Sequence, residues 1–358
     1  MNKHINKIFI FLVILLFAYQ IVGCGSSSSS HKESNKKILL KIEGIVTKAI
    51  NKDIDVTLLG AKAYNAQNSV ISKINLKANE AKNLTLYVKS SSSEDLRVLV
   101  KIEGYIDNGI TIQPKSVKDG DEKIIQMIPA KSGKVKDGIF VQIAEITGVD
   151  SDGITEKEIK VEAKENKSAT GTSIVIPKGT RFTDKNGNPV TPDRLTLVHF
   201  DPQEAGVLDA YPGGLDVMVD VDGNMEQVHF KSAAFASIIL EDSNGNKVNK
   251  ATQKRLNKGE KTVSKLSEPI TVRMEVKKGI RDAEGNLVQC NDTIPLWGYN
   301  VDEGLWQYEK RDVSLQCTDD KSKFVAIFPT RSLSFKNIDW VCCLAIDICP
   351  SPCVPPTD

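Results

Sequence analysis

The stretch Arg97-Val98-Leu99-Val100-Lys101-Ile102-Glu103 places an apolar residue at every second position, at Val98, Val100 and Ile102. Charged residues occupy three of the four positions in between. An α-helix would repeat its apolar residues about every 3.6 positions, whereas successive side chains of a strand point to opposite faces. The stretch therefore predicts a β-strand with one face on a core and the other in water.

The same period of two recurs on both sides of this stretch. Leu40 and Ile42 alternate with charged residues, and Leu84, Leu86 and Val88 continue the pattern. Clusters of Asn, Gly, Ser and Asp separate further candidate strands near 55–64, 70–77, 122–129, 139–147 and 158–164. Seven or eight short strands with turn signals between them predict an immunoglobulin-like antiparallel sandwich over residues 38–165. The tryptophan and disulfide of true immunoglobulin domains are absent, because this region contains neither Trp nor Cys.

A repeated pentapeptide marks the second region, residues 171–340. Its pattern is Asp-x-[Asn/Asp/Glu]-Gly-Asn, and it occurs at 184–188, 220–224, 242–246 and 282–286. Asn-Gly and Asp-Gly pairs adopt the positive φ angles of tight turns, and the leading Asp can bond the backbone of its own turn. We interpret the four copies as hairpin turns. Calcium binding is the alternative, although no acidic residue follows at EF-hand spacing.

An aromatic block is present at Asp292-Thr293-Ile294-Pro295-Leu296-Trp297-Gly298-Tyr299-Asn300. It is followed by Gly304-Leu305-Trp306, in which Gly304 ends a short Asp-Glu-Gly turn. Two aromatic-bearing strands around a short turn predict a hairpin whose Trp297 and Trp306 pack into the core. Histidine is missing from the closing segment Arg331 to Trp340.

This aromatic block resembles a domain of secreted and surface bacterial proteins. Similar IPLW…GLW blocks occur in extracellular animal proteins such as cartilage intermediate layer protein. The resemblance covers about residues 171–340 and implies an extracytoplasmic β-sandwich module without a reaction of its own. Two departures are the missing His in the closing segment and the sequence Gln289-Cys290-Asn291, where a Gly is usual before the Asp-Thr-Ile-Pro. The predicted fold class is therefore all-β, with two consecutive antiparallel sandwich domains.

The N-terminus has the pattern of an export signal. Lys3 and Lys7 precede the apolar run Ile8 to Ala18, which is too short to span a bilayer as a helix. The following Ile21-Val22-Gly23-Cys24 resembles the bacterial lipobox. The resemblance implies that the Cys24 thiol is alkylated by a diacylglyceryl group and that residues 1–23 are removed. An ordinary signal peptide with an incidental cysteine is the alternative.

Residues 24–37 contain the serine run Ser26 to Ser30 and predict a flexible tether behind the anchor. Two or more acyl chains hold a protein stably on a membrane. We therefore expect a permanent lipid anchor in the bacterial cell envelope, with the folded part facing the periplasm or the cell exterior.

The six cysteines other than Cys24 fall between residues 290 and 353. An even number in an exported chain favours disulfides, and Cys290 and Cys317 bracket the tryptophan hairpin almost symmetrically, so we pair them. The other four lie in the Cys/Pro-rich tail 341–358: Cys342, Cys343, Cys349 and Cys353. Adjacent Cys342 and Cys343 are expected to bond different partners. A zinc site or free thiols are the alternatives, although the spacing is unlike that of structural zinc sites.

Charge and motifs argue against several functions. The 358 residues carry a net charge of +1 without a long block of like charge, so we expect no nucleic-acid partner. His199 and His229 stand in strand-like stretches and are interpreted as structural or surface residues. Motifs for a nucleophile elbow, a zinc protease or a phosphate loop are absent. We therefore predict no catalytic residue, metal or cofactor. The basic segment Lys247 to Lys265 is interpreted as a solvated loop or short helix, and contact with anionic envelope polymers is the alternative.

These patterns together predict a membrane-anchored extracytoplasmic lipoprotein that is not an enzyme. Its expected role is binding, adhesion or envelope structure, with the membrane as partner through the anchor and an envelope or extracellular polysaccharide or protein as the second partner. Two alternatives stay open. One is a calcium-dependent carbohydrate-binding lipoprotein, and the other is an envelope hydrolase with scattered carboxylates, which leave little local trace in a sequence.

Overall fold

Strands dominate the part of the chain that the structure describes. The computed structural model describes residues 35–44, 53–77, 83–182, 188–221, 223–242, 270–331 and 333–343. Within these ranges there are 23 strands and one 3-10 turn, Leu208–Ala210, but no α-helix. The predicted all-β class with antiparallel sheets is confirmed.

The strands of the first part of the chain are β1 (Asn35–Glu43), β2 (Asp53–Gly60), β3 (Ala63–Tyr64), β4 (Val70–Ile71), β5 (Lys73–Lys77), β6 (Asn83–Lys89), β7 (Leu96–Lys101), β8 (Tyr105–Ile106), β9 (Asn108–Ile112), β10 (Asp121–Gln126) and β11 (Ile128–Pro129). The remaining strands are β12 (Gly133–Lys136), β13 (Ile139–Glu145), β14 (Ile159–Lys164), β15 (Gly171–Ile176), β16 (Arg194–Phe200), β17 (Asp216–Val221), β18 (Asn224–Glu241), β19 (Ile270–Lys277), β20 (Thr293–Asn300), β21 (Leu305–Cys317), β22 (Lys323–Thr330) and β23 (Phe335–Cys343).

Two sheets with the orders β10-β1-β6-β3-β4 and β5-β2-β7-β9 form what we call the N-terminal sandwich. Its strands bury alternate residues, as the sequence predicts: Val98 and Val100 of β7 lie in the core together with Ile54 and Val56 of β2. All pairs in these two sheets are antiparallel except β1 with β10. Burial of these alternating faces holds the two sheets together.

The second part is built on a sheet of twelve strands, whose main path is β12-β13-β16-β18-β23-β20-β21-β22-β19-β15-β14. One core is enclosed by β16, β18, β20 and β23 on one side and by β14, β15, β19 and β22 on the other. Strand β21 belongs to both layers, because its first part pairs with β20 and its last three residues pair with β22.

Three strands that precede residue 165 belong to this larger sheet. Strand β12 pairs with β13, β13 pairs with β16, and β14 pairs with β15. The sheet therefore includes residues on both sides of the sequence-based boundary at 165–171. Pairing partners depend on contacts between distant segments, which the alternation within one strand does not specify.

A second core covers the other face of β16, β18, β20 and β23, so that these central strands are buried on both sides. Ile106 of β8 and Ile128 of β11 contribute to this core and link it to the first part of the chain. Two hydrogen bonds reinforce the link: Thr111 N–H donates to the Gly213 carbonyl, and Gly213 N–H donates to the Gly109 carbonyl, both at 2.9 Å. All described residues lie in one unit that begins at Asn35.

The predicted tryptophan hairpin is confirmed. Strands β20 and β21 pair antiparallel across the turn 301–304, and both tryptophans are buried, with Trp306 fully inaccessible to solvent. The pentapeptide at 220–224 joins β17 to β18, and Gly223 has a φ of 87°. At 282–286, the Asp282 carboxylate accepts a 2.7 Å hydrogen bond from the Asn286 N–H. These two copies are turns, as predicted.

Several sequence-based predictions fall outside the described residues. They concern the signal peptide, Cys24, the serine tether up to residue 34, the pentapeptides at 184–188 and 242–246 for most of their length, the basic segment Lys247 to Lys265, and the tail from residue 344 with Cys349 and Cys353. Where the chain is described, no helix is both long enough and apolar enough to cross a membrane.

Candidate functional site

The cysteines near the tryptophan hairpin are close to one another. Cys290 precedes β20, Cys317 ends β21, and their Cα atoms lie 5.3 Å apart in a disulfide bond. This is the pair that the sequence favours. Cys342 is buried near the end of β23, which also contains Cys343.

We expect the double variant Cys290→Ala/Cys317→Ala to lower the free energy of unfolding by about 3 kcal/mol. The two cysteines are 27 residues apart, and a crosslink over such a loop restricts the unfolded chain by about this amount. Urea unfolding followed by circular dichroism measures the change, and peptide mapping without reductant identifies the bond in the parent protein. Mapping that joins Cys290 to another cysteine, or a loss below about 0.5 kcal/mol, would contradict this assignment.

A cleft with a volume of about 670 Å³ opens between the N-terminal sandwich and the second part of the chain. One wall comes from the end of β2, the start of β7 and the turn that precedes β7. The other wall comes from the β17–β18 hairpin and from the turn between β20 and β21. The lining residues are Leu59, Gly60, Ser93, Glu94, Asp95, Arg97, Thr111, Met218, Asp220, Met225, Asp302, Glu303 and Leu305.

Two glycines permit close approaches of the chain beside the cleft, Gly60 within one wall and Gly304 between the two walls. A Cβ on Gly60, which has a φ of 80°, would lie 2.2 Å from the Asp95 carbonyl. Gly304 has a φ of 66°, and a Cβ there would lie 2.8 Å from Leu99 of β7. Real Cβ atoms do not approach other atoms so closely, so glycine at position 304 permits the β20–β21 turn to lie against the N-terminal sandwich.

Carboxylates dominate the electrostatics of the cleft. Five acidic residues line it, namely Glu94, Asp95, Asp220, Asp302 and Glu303, whereas Arg97 is the single basic residue among the described lining residues. The Arg97 guanidinium donates a 2.7 Å hydrogen bond to the Glu303 carbonyl. Lys101, next to the cleft, forms a 3.0 Å ion pair with Asp302. The formal charge of the lining, −5 from the acids and +1 from Arg97, is −4.

Asp95 is the most unusual of these carboxylates. Its side chain is half-buried, and within the described structure its Oδ2 atom is buried without a hydrogen-bond partner. Burial raises the pKa of this carboxyl above its ordinary value, and the positive charge of Arg97 offsets part of that shift. A buried acceptor without a donor costs free energy, so Asp95 is held beside the cleft at a cost to stability.

His199 lies in a buried polar cluster that does not reach the cleft. Its Nδ1 is 2.9 Å from the Thr172 hydroxyl and its Nε2 is 3.0 Å from the Thr170 hydroxyl, which donates to Asp201. Burial lowers the His199 pKa to about 4, against the opposing effect of Asp201 and Glu275. The imidazole is therefore neutral and closed to solvent, which fits the structural role that the sequence suggests.

His229 occupies a different environment at the protein surface. Its Nδ1 lies 2.6 Å from Asp216 Oδ1, across the β17–β18 pair. This contact is the main cause of the lowered pKa of Asp216. The pair joins two neighbouring strands and is exposed, so it contributes little to stability.

A third polar group is enclosed by the aromatic core. Asp339 of β23 is fully buried, and the Tyr211 hydroxyl donates a 2.5 Å hydrogen bond to its Oδ2. Asn337 donates its side-chain N–H to the same oxygen, and the Trp297 indole donates to the Asp339 backbone carbonyl at 3.2 Å. Burial raises the pKa of Asp339 to about 8, although the Tyr211 and Ser232 hydroxyls act in the opposite direction.

Asp339→Asn is expected to remove a pH dependence of stability. The folded-state pKa of about 8 exceeds the ordinary 3.8, so this group stabilises the fold fully below pH 3.8 and loses that contribution as the pH rises through 8. His199 affects the pH dependence of stability in the opposite direction, because its pKa falls from 6.5 to about 4. Its contribution to stability is constant above pH 6.5. The stabilities of the parent protein and of Asp339→Asn are therefore compared between pH 6.5 and pH 8.

In that window, we expect the parent protein to lose stability with rising pH and Asp339→Asn to show a flatter slope in urea unfolding. The matched control is Asp137→Asn, because the exposed Asp137 carboxyl has a lowered pKa and stays ionised throughout. Equal slopes for the parent and Asp339→Asn would contradict the buried, protonated state of Asp339.

Metal ligands do not gather in the described part of the chain. Within it, no group of three or more His, Cys, Asp or Glu side chains is placed to hold a metal ion. In the two described pentapeptide turns, the leading carboxylates accept backbone N–H groups of their own turns, Gly223 onto Asp220 and Asn286 onto Asp282. These oxygens stabilise the turns.

Sequence reasoning missed the cleft, because its walls come from segments more than 100 residues apart. Two sequence signals do lie at its rim. The pentapeptide at 220–224 begins with the lining residue Asp220 and is followed by the lining residue Met225. The turn Asp302-Glu303-Gly304 connects the two strands of the tryptophan hairpin and contributes Asp302 and Glu303 to the lining.

Comparisons with known proteins add no assignment to this site. No protein-family model matches the chain, and no curated protein matches it at a significant level.

Proposed function

We propose that this protein is a lipid-anchored protein of the bacterial cell envelope with a non-catalytic binding role, and that the cleft is its ligand site. The observation that carries the binding role is the cleft itself, with Asp95 Oδ2 buried and without a hydrogen-bond partner in the described structure. Its volume lies within the range of about 300–1,000 Å³ that is usual for small-molecule sites.

The anchor is supported by the sequence. Lys3 and Lys7, the apolar run and the lipobox-like Ile21-Val22-Gly23-Cys24 follow one another in the order that a lipoprotein signal requires. The resemblance of residues 171–340 to extracytoplasmic modules agrees with export. Cysteine pairing at 290 and 317 also fits an oxidising compartment.

Protease treatment of intact cells, followed by peptide mass spectrometry, tests the location. Lysed cells serve as the control. Release of peptides from residues 35–343 from intact cells would place the cleft at the cell exterior and support capture of an external ligand or adhesion. Release only after lysis would place it in the periplasm and exclude adhesion. Peptides that stay in the soluble fraction of untreated lysed cells would contradict the anchor.

A hydrolase is the second candidate function, and Asp95 is the observation that favours it. A carboxyl with a raised pKa beside other carboxylates is the arrangement that glycosidases use for a general acid and its partner. Turnover of peptidoglycan or other glycans by the parent protein, with loss of turnover in Asp95→Asn, would support it. Absence of turnover across a broad glycan screen would leave binding as the function.

Calcium-dependent carbohydrate binding has weaker support. The Asp220 and Asp282 carboxylates each accept a hydrogen bond from a backbone N–H of their own turn, and those oxygens would have to exchange this bond for a cation. A melting temperature that does not change with millimolar calcium or with EDTA would exclude this alternative.

A further inference from the structure

We propose that the cleft binds a flexible aliphatic polyamine, an organic cation whose ammonium groups are separated by methylene chains. This inference rests on the proposed function, because it names the ligand class of the same site. It is carried by three features of the cleft: its charge, its apolar side chains and the half-buried carboxylate of Asp95.

The charge of the cleft favours a cation. The lining has a formal charge of −4, and it is still −3 when the neighbouring Lys101 is counted, whereas the whole chain has a net charge of +1. The acidic residues are therefore concentrated here rather than spread in proportion to composition. A cleft lined by charges of one sign raises the local concentration of ligands with the opposite charge. This negatively charged cleft therefore attracts cations and repels anions.

The apolar side chains favour an organic cation over a bare metal ion. Leu59, Met218, Met225 and Leu305 lie among the carboxylates, and Met225 is 38% exposed. Methionine adapts its shape to apolar partners, and methylene groups buried against it leave water. A bare divalent cation would make no use of these side chains.

The half-buried carboxylate of Asp95 favours a ligand with a positive charge. An ammonium group in the cleft would be attracted by the Asp95 carboxylate, and it would offset the cost of keeping this charge half-buried. A basic peptide would bring a backbone carbonyl and amide at every residue, and these groups would need hydrogen-bond partners in the lining. Among the described lining side chains, Ser93 and Thr111 are the neutral hydrogen-bonding groups, so a polyamine matches the lining better than a peptide does.

The methionine methyl groups provide the measurement. Met218 and Met225 line the cleft, whereas Met127 and Met274 are fully buried in two separate cores and serve as internal controls. The full-length protein, labelled with ¹³C at the methionine methyls and held in neutral detergent micelles, is titrated with spermidine. Triethylene glycol, citrate and trilysine are the neutral, anionic and peptide comparison probes.

We expect saturable shifts of the Met218 and Met225 methyl signals with spermidine, and unchanged signals for Met127 and Met274. Asp95→Asn should raise the Kd about tenfold, and Glu94→Gln, an exposed change that leaves packing intact, about threefold. Glu162→Gln is the matched control, because Glu162 is exposed on β14, away from the cleft lining, and its replacement changes the net charge equally. An increase in salt should weaken binding.

The possible failures are distinguishable. If trilysine, triethylene glycol or citrate shifts the Met218 and Met225 signals and spermidine does not, the polyamine assignment is overturned and the cleft stays a ligand site. Equal weakening by Glu162→Gln and Asp95→Asn would show attraction to the whole protein and would also overturn it. If no probe and no extract of the cell envelope moves these two signals, the proposed function fails as well. Unchanged Met127 and Met274 signals verify that each variant is folded.

Discussion

Replacement of Cys24 by serine is expected to leave the protein without lipid and to transfer nearly all of it from the membrane to the soluble fraction. The lipobox-like sequence ends in Cys24, and attachment of the diacylglyceryl group requires a thiol that can form a thioether. Each buried methylene of an acyl chain contributes about 0.8 kcal/mol, so a protein without these chains would lack the proposed anchor to the bilayer.

Metabolic labelling with radioactive palmitate, followed by membrane fractionation, measures both effects. Ser26→Ala is the matched control, because it changes a neighbouring residue of the tether and keeps the thiol. The control should be labelled and membrane-bound like the parent. A Cys24→Ser protein that is still labelled, or a parent that is never labelled, would contradict the anchor, and the second result would favour an ordinary signal peptide.

Trp306→Ala is expected to lower the free energy of unfolding by about 4 kcal/mol, because it empties the centre of the second core. The indole is fully buried, with ring centroids 5.0 Å from Tyr299, 5.2 Å from Tyr211 and 5.8 Å from Phe230. Its Nε1–H donates a 2.8 Å hydrogen bond to the Pro212 carbonyl, which the substitution would leave buried and unpaired.

Urea unfolding followed by circular dichroism measures this loss. Trp340→Ala provides the matched control, since Trp340 is only partly buried against the other core and should cost about half as much. Trp306→Phe keeps an aromatic ring and should recover part of the loss. A Trp306→Ala protein within about 1 kcal/mol of the parent would show that the second core does not depend on this residue.

The strands could be predicted from the sequence because burial on one face leaves a period of two in a single segment. Residues such as Val98 and Val100 alternate with charged neighbours and lie in the core of the N-terminal sandwich. Pairing could not be predicted in this way. Alternation does not show that β13 and β14 pair with β16 and β15, since that choice depends on contacts between segments distant in sequence.

Burial on both faces of the central strands could not be predicted from the sequence either. Six of the seven residues of β16 are buried, so the strand lacks the alternation that marks a solvent-facing sheet. Asp339 and Lys336 look like surface residues in the sequence, yet both are buried on β23. Their burial follows from the layers that cover both faces of this strand, which no local pattern reveals.

The cleft was beyond sequence reasoning for a similar reason. Asp95 and Met225 belong to separate strands and turns, and only the packing of the N-terminal sandwich against the two hairpins brings them together. What the sequence did identify are the turns at its rim, because tight turns require Gly, Asn and Asp at fixed positions.

The most direct test of the central claim, that this cleft is the ligand site of a cell-envelope protein, is the methionine methyl spectrum of the full-length protein. The spectrum is recorded in micelles with and without a small-molecule extract of the cell envelope. We expect the Met218 and Met225 signals to shift, the Met127 and Met274 signals to stay in place, and Asp95→Asn to reduce the shift. An extract that leaves the Met218 and Met225 signals unchanged would contradict the claim.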